Sequence, residues 1–184
     1  MKIKFNAPVI LSFSILAVVV QVISYLLYDN FSRHFFSVPG SINWLNPLDY
    51  FRLISHVIGH SNWQHLFGNI TYILLLGPIL EEKYKSKNIL AMLVITALIT
   101  GLLNVLVSSS PLLGASGIVF MLITLVSFSD IKNGEIPVSF ILVAAIFIGS
   151  EVISIFKNDN VSQLTHIAGA GCGAFFGFIG ERRK

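Results

Sequence analysis

Apolar residues in this chain run in blocks too long and too unbroken for the amphipathic elements of a small soluble fold. Six blocks stand out, at roughly 7–28, 65–80, 89–107, 112–128, 136–156 and 164–179. The hydrocarbon core of a bilayer needs about 20 predominantly apolar residues per helix, with a range of about 17–25. The first, third and fifth blocks meet that requirement comfortably. The second, fourth and sixth are short and carry polar residues. They predict helices that begin below the membrane surface, with ends sheltered by protein or lining a wet cavity. The pattern therefore predicts an all-α membrane protein, a bundle of six transmembrane helices forming one domain over residues 1–184.

The segments between the blocks predict the orientation. With the N-terminus in the cytoplasm, the inner side holds Lys2, Lys4, Lys83, Lys85, Lys87, Lys132, Arg182, Arg183 and Lys184. The outer side holds only Arg33, Arg52 and Lys157. This positive-inside bias puts both termini in the cytoplasm. The first block is uncharged, exceeds the roughly 7–15 apolar residues of a secretory signal, and is followed by no small-residue cleavage pattern. It reads as a retained span. The external segment 29–64 is rich in Phe35, Phe36, Trp44, Leu45, Tyr50 and Phe51, interrupted by Pro39, Gly40 and Pro47. Aromatics of this density favour the headgroup boundary, so the segment is expected to lie partly in the outer leaflet. A globular external loop with its own small core is the alternative.

Composition agrees with the pattern. The chain is 54% hydrophobic and 11% charged, with a mean hydropathy of +0.80, where a soluble domain carries about 25% charged residues. Such a surface must face lipid. A scattered net charge of +3 offers nothing to nucleic acid, and the single cysteine, Cys172, excludes an intrachain disulfide and reads as a small packing residue.

Polar groups inside spans are costly and mark function by default. Here they gather at helix ends expected on the same side. Ser116 lies in Gly114-Ala115-Ser116-Gly117, at the outer start of the fourth span, and His166 at the outer start of the sixth. His65 and Asn69 lie one turn apart at the outer start of the second. A serine hydroxyl becomes a nucleophile when a neighbouring base takes its proton, and a buried neutral imidazole at His166 can be that base. The glycines beside Ser116 permit close backbone approach, and the helix that follows offers free N–H groups to an anion. His65 and Asn69 share a helix face and can donate to the same oxyanion. The set describes acyl transfer.

Each residue has a plainer reading. Gly-x-Ser-Gly in a membrane helix also serves packing, a histidine at a helix start is often a structural hydrogen bonder, and Asn69 or Asn104 can be interhelical glue. Their common depth is what favours chemistry. His56, His60 and His65 raise a zinc reading. It is weakened by the absence of a His-Glu-x-x-His pattern and of any Asp, Glu or Cys at ligand spacing. Gly169, Gly173 and Gly177 recur every fourth residue. Such a face lets helices approach closely, and packing of the sixth helix on the fourth would carry His166 towards Ser116.

These motifs, in this order, resemble the rhomboid intramembrane serine proteases, specifically the bacterial GlpG type. The resemblance runs from about Tyr50 to Gly180. It rests on Gly114-x-Ser116-Gly117, on His166-x-x-Gly169-x-x-x-Gly173, on His65-x-x-x-Asn69, and on the spacing of His56 and His60. It implies Ser116 as nucleophile and His166 as general base without an acidic third member, and an oxyanion site from the Ser116 backbone, His65 and Asn69. Gly114, Gly117, Phe120, Gly169 and Gly173 would support that site. Implied partners are membrane-spanning protein substrates, cut near the outer face of a bacterial inner membrane, and the lipid bilayer itself, with no metal or organic cofactor. A mobile fifth helix with its cap loop, 157–163, would be the substrate entry. The sequence departs from the family in three places. Phe51-Arg52 stands where the family has Trp-Arg. Phe120 stands where a tyrosine often stacks on the catalytic histidine, and Thr165 where alanine is common. Six residues precede the first span, so the soluble N-terminal domain of some relatives is expected to be lacking. A non-catalytic relative that binds membrane helices is the alternative function. A transporter is a third, weakened because Glu151 is the only acid inside an expected span.

Overall fold

The computed structural model describes residues 5–26, 30–129 and 160–181, with the isolated positions 138, 141, 142 and 145. Most of the fifth expected span, Glu151 included, and residues 157–159 of the expected cap loop lie outside the described residues. Among those described, the secondary structure is helical apart from one isolated bridge between Val38 and Leu112. The helices are α1 (Pro8–Leu26), α2 (Phe31–Phe36), α3 (Pro47–Ser55), α4 (Trp63–Tyr84), α5 (Ser86–Val107), α6 (Ser116–Ser129) and α7 (Asn160–Glu181).

Two of these, α1 and α5, are long and apolar enough to cross a bilayer by length and composition alone, with mean hydropathies of 2.4 and 2.5. The helices α4 and α7 each have 22 residues, which at a rise of 1.5 Å makes about 33 Å, but polar residues dilute them. Their apolar blocks understated them. α4 extends the expected 65–80 at both ends because Asn62 caps its start and Glu81–Tyr84 continue the turns. α7 begins at Asn160, so residues 160–163 of the expected cap loop are helical. Conversely, α6 begins only at Ser116, because Leu112 pairs with Val38 in extended backbone.

The short helix α6 is the centre of the bundle. Ile118, Val119, Met121, Leu122 and Leu125 are all buried, in one cluster with Ile73 and Leu80 of α4, Ile89 and Leu93 of α5 and Phe176 of α7. The outward faces of α1, α4 and α5 instead expose Leu16, Val19, Leu75, Ile79, Leu90 and Leu106, a surface that only lipid solvates without cost.

Backbone proximity organises the α6–α7 contact. A Cβ on Gly169 would lie well inside van der Waals distance of the Gly117 carbonyl oxygen, and one on Gly173 would do the same at the Met121 carbonyl. A Cβ on Gly177 would meet Phe128 Cβ at 2.5 Å. Three glycines on one face of α7 thus remove the side chains that would hold the axes apart. Between α5 and α3, Gly101 admits the Leu53 carbonyl, 2.5 Å from where a Cβ would be.

Two buried carboxylates tie elements together. At the N-terminus of α1 the carboxylate of Glu81, 3% exposed, accepts the Val9 and Ile10 N–H groups at 3.0 Å each. It satisfies donors that have no intrahelical partner and opposes the positive helix end. In the external segment, buried Asp49 accepts from Asn43 N–H (3.0 Å), the Asn46 amide (3.3 Å) and Arg52 (2.6 Å), while Arg52 also donates to the His34 carbonyl. One face of α3 buries Leu53 in a cluster with Val38 and Leu112. Tyr50 and Phe51 on α3, and Trp44 just before it, are roughly half exposed or more, and Leu45, also before α3, is 93% exposed. The segment therefore combines a small core with an exposed aromatic face.

Replacing Gly169 by alanine should destabilise the protein by about 1–3 kcal/mol, the usual cost of overpacking. Gly171, on the same helix with nothing within 4 Å of its would-be Cβ, should tolerate alanine and gain about 0.5–1 kcal/mol. Thermal unfolding of the two variants in detergent, beside the parent, measures both.

Candidate active site

The extended stretch 108–115 descends into the bundle and sets the start of α6. It is held at three places by four hydrogen bonds: Leu112 and Val38 exchange backbone hydrogen bonds of 2.9 Å, Asn104 donates to the Ser110 carbonyl at 3.1 Å, and Gly114 N–H donates to the His56 carbonyl at 3.0 Å. Gly114 has φ +130°, a conformation that L side chains rarely adopt. Its missing side chain also makes room for His65, whose ring atoms Cε1 and Nε2 lie 2.5 and 2.8 Å from where a Cβ would stand.

Ser116 is the first residue of α6 and half-buried, so its N–H is among those left without an intrahelical acceptor. The residue after Ser116 packs on the residue before His166: a Cβ on Gly117 would lie 3.2 Å from Thr165 Cγ2 and 3.5 Å from the Thr165 carbonyl. One turn along α6, the Phe120 ring covers the His166 imidazole with ring centres 4.3 Å apart and planes at 36°. From α4, the His65 ring reaches Gly114, two residues before Ser116. Asn69, four residues on and 7% exposed, has its amide nitrogen buried with no hydrogen-bond acceptor among the described residues. Leaving a buried donor unsatisfied is costly, and an acceptor that arrives later would recover the loss. His65, Gly114, Gly117, Phe120, His166, Gly169 and Gly173 are thus linked by contacts between α4, α6, α7 and the stretch before α6; Ser116 lies between Gly114 and Gly117, and Asn69 lies one turn along α4 from His65.

The other histidines have structural surroundings. His56 is fully buried; its Nε2 meets Thr100 Oγ1 at 3.3 Å, and that hydroxyl itself donates to the Thr96 carbonyl at 2.8 Å. His56 therefore joins the external segment, α5 and the strand-like stretch before Ser116. His60, 2% exposed, donates its backbone N–H to Ser32 Oγ at 3.0 Å and has Nδ1 3.2 Å from the Ile58 carbonyl. Its ring meets that of His65 edge-on at 5.1 Å. Among the described residues no three His, Cys, Asp or Glu side chains converge as a metal site. A polar cavity of about 380 Å³ adjoins this corner, lined by Gln21, Arg33, His60, Ser61 and Asn62 among others.

Sequence reasoning passed over Ser61, Asn62 and Thr100. Asn62 caps α4, its side-chain oxygen accepting the His65 N–H at 2.8 Å; an asparagine just ahead of an apolar run is a legible cap signal. Ser61 Oγ lies 3.2 Å from His65 Nδ1, and nothing in its spacing announces that.

With the geometry in view, comparison with known proteins is decisive for the family. The Rhomboid domain family matches residues 47–183. The chain belongs to the rhomboid family. It is 26% identical over 136 residues to the Rhomboid protease GlpG of Haemophilus influenzae, covering 72% of this chain and 71% of that protein. It is 32% identical over 166 residues to Rhomboid-related protein 1 of Caenorhabditis elegans, covering 81% of this chain but only 46% of that longer protein. As a rhomboid of the GlpG type, this is a membrane protein, and the rhomboid match begins at the first residue of α3.

Burial dominates the acid–base behaviour of the two structural histidines. It holds His56 down to about 4 from the usual 6.5, against the opposing carbonyls of Arg52 and Leu53. Burial, and then the neighbouring His65, hold His60 to about 4 as well, against the Ile58 carbonyl. Both are neutral in the folded protein, so between pH 6.5 and 4 the unfolded chain binds more protons and stability falls as pH falls. Above pH 6.5 the contribution is constant. The loss attributable to His56 should reach about 3 kcal/mol by pH 4. Melting temperature in detergent, followed from pH 7.5 to 4.5, should fall below pH 6.5, and His56→Gln should flatten that slope.

Proposed function

We propose that this rhomboid is an intramembrane serine endopeptidase using a dyad of Ser116 and His166, and that it cuts peptide bonds in or near transmembrane segments. The observation that carries the reading is the glycine contact between α6 and α7. It sets Gly117 against Thr165 and Gly169, so Ser116 and His166 occupy adjoining positions on two touching helices. Phe120 against the His166 ring restricts the imidazole's orientation and shields one of its faces from water.

In this mechanism His166 accepts the Ser116 hydroxyl proton as Oγ attacks the scissile carbonyl carbon. The carbonyl π pair moves to oxygen, and the oxyanion is met by the Ser116 N–H, the Asn69 amide and His65. When the C–N bond breaks, His166 gives its proton to the leaving amine. Water then attacks the acyl-enzyme with His166 again as base, which releases the new carboxyl end and restores Ser116. The unsatisfied Asn69 nitrogen fits this role, because a donor held without an acceptor in the resting state gains most when charge develops in the transition state.

The twelve basic residues divide so that both termini face the cytoplasm and the site opens to the opposite side. Similarity to a bacterial GlpG supports an inner-membrane location with a periplasmic opening. The exposed aromatic face of the external segment, Trp44, Tyr50 and Phe51, suits the outer headgroup layer.

Cleavage of a single-span model substrate by purified protein in detergent tests the proposal. Wild type should cut, with or without EDTA. Ser116→Ala and His166→Ala should reduce cleavage to background, and Asn69→Ala should lower kcat by about 10²–10³. Cleavage that survives Ser116→Ala sinks the dyad. Loss with EDTA alone points to the histidines as a metal site, and substrate binding without cleavage by wild type favours a helix-binding role.

A further inference from the structure

The oxyanion reading requires a particular form of His65. A neutral imidazole carries its proton on one nitrogen only, and His65 can donate towards the Ser116 side only if that nitrogen is the one facing Gly114. The ring atoms nearest Gly114 are Cε1 and Nε2, so the proton must be on Nε2 and Nδ1 must accept. Among the described residues, no interior side chain is hydrogen-bonded to the His65 ring. The two residues before α4 arrange the ring proton.

The chain of constraints starts at the helix cap. Asn62 Oδ1 accepts the His65 backbone N–H at 2.8 Å, which fixes the side-chain amide and turns its Nδ2 the other way. That nitrogen lies 3.4 Å from Ser61 Oγ, so the serine oxygen accepts from Asn62. With an amide donor occupying one side of the hydroxyl oxygen, the hydroxyl proton is directed to its remaining neighbour, His65 Nδ1, at 3.2 Å. A Ser61 O–H donating to Nδ1 leaves the ring proton on Nε2, beside Gly114 and the start of α6.

We infer that Ser61 and Asn62 are positioning residues for the oxyanion site, acting through His65 by fixing which of its nitrogens carries the proton. This rests on the proposed role of His65. It assigns to Asn62 a task besides capping α4. It also places the control in exposed residues at the edge of the polar cavity, away from the scissile bond.

Four variants of the full chain, Ser61→Ala, Ser61→Thr, Asn62→Asp and His65→Ala, separate the effects, assayed on the single-span substrate at a pH where the imidazoles are neutral. Ser61→Ala should lower kcat by about two- to tenfold, the range of one hydrogen bond, with KM within twofold, because the lost interaction acts on the transition state. Ser61→Thr, which retains the hydroxyl, should restore it. Asn62→Asp keeps a capping oxygen on the His65 N–H but replaces the amide donor by an acceptor. It should draw the Ser61 proton away from His65, so its kcat should fall further than that of Ser61→Ala. Proton-coupled nitrogen NMR of histidine-labelled protein should show His65 protonated at Nε2 in the parent and shifted towards Nδ1 in Asn62→Asp. If Ser61→Ala and Asn62→Asp keep both the parental kcat and the Nε2 proton while His65→Ala loses activity, the inference is overturned and the role of His65 stands. If His65→Ala cleaves like the parent, the role of His65 falls, and the inference with it.

Discussion

The contact on which the rest of the molecule depends is the one where α6 and α7 touch backbone to backbone. Two helices cannot approach so closely with Cβ atoms at Gly169 and Gly173, because the carbonyls of Gly117 and Met121 already occupy that space. In a bilayer the hydrophobic effect does little to press helices together, so packing of this kind and interhelical polar contacts must do it. The consequence is chemical as well as mechanical. A fixed separation of the two axes fixes where a residue at the start of α6 stands relative to one in the first turns of α7. The ring pair of Phe120 and His166 is the visible result.

A second constraint acts on the stretch before α6. Extended backbone buried in a helix bundle must have its hydrogen bonds satisfied by protein, and here they are met by Val38, Asn104 and the His56 carbonyl. The external segment is thus not an appendage. Through Val38 and His56 it forms part of the support of Ser116, and the Asp49–Arg52 pair in turn holds α3 to α2 at the His34 carbonyl. Arg52 makes this brace with both ends of its guanidinium, one nitrogen on Asp49 and the other on the His34 carbonyl. At the opposite end of the bundle Glu81 ties α1 to α4 by capping it from outside.

The site is also unevenly finished. His56 and His60 sit in surroundings that keep them neutral and structural. Each of the two also keeps one buried ring nitrogen without a hydrogen-bond partner among the described residues, as Asn69 keeps a buried donor without an acceptor, and His65 presents one ring edge to Gly114 with its other nitrogen held by Ser61. Stability would favour satisfying these groups internally. In the proposed mechanism Asn69 and His65 are the groups that receive charge.

Much of this was readable from the sequence because it depends on local rules. The apolar blocks report the spans α1 and α5, since burial in lipid is a property of composition. The four-residue glycine spacing reports a close-packing face, since helical periodicity is a property of the single chain. The order of Ser, His and Asn motifs reports the family, which the Rhomboid match over residues 47–183 establishes. Tertiary structure decided what depends on partners distant in sequence. Leu112 lies in an apolar block yet is extended, because Val38 competes successfully for its backbone. Glu81 ends an apolar block yet is buried, because the N-terminus of α1 needs an acceptor. Ser61 sits in an ordinary turn, and its bond to His65 exists only because the α4 cap folds the chain back by one hydroxyl's reach. Composition and periodicity specify what each segment can do alone; which neighbour satisfies each leftover donor or acceptor is settled only when the segments meet.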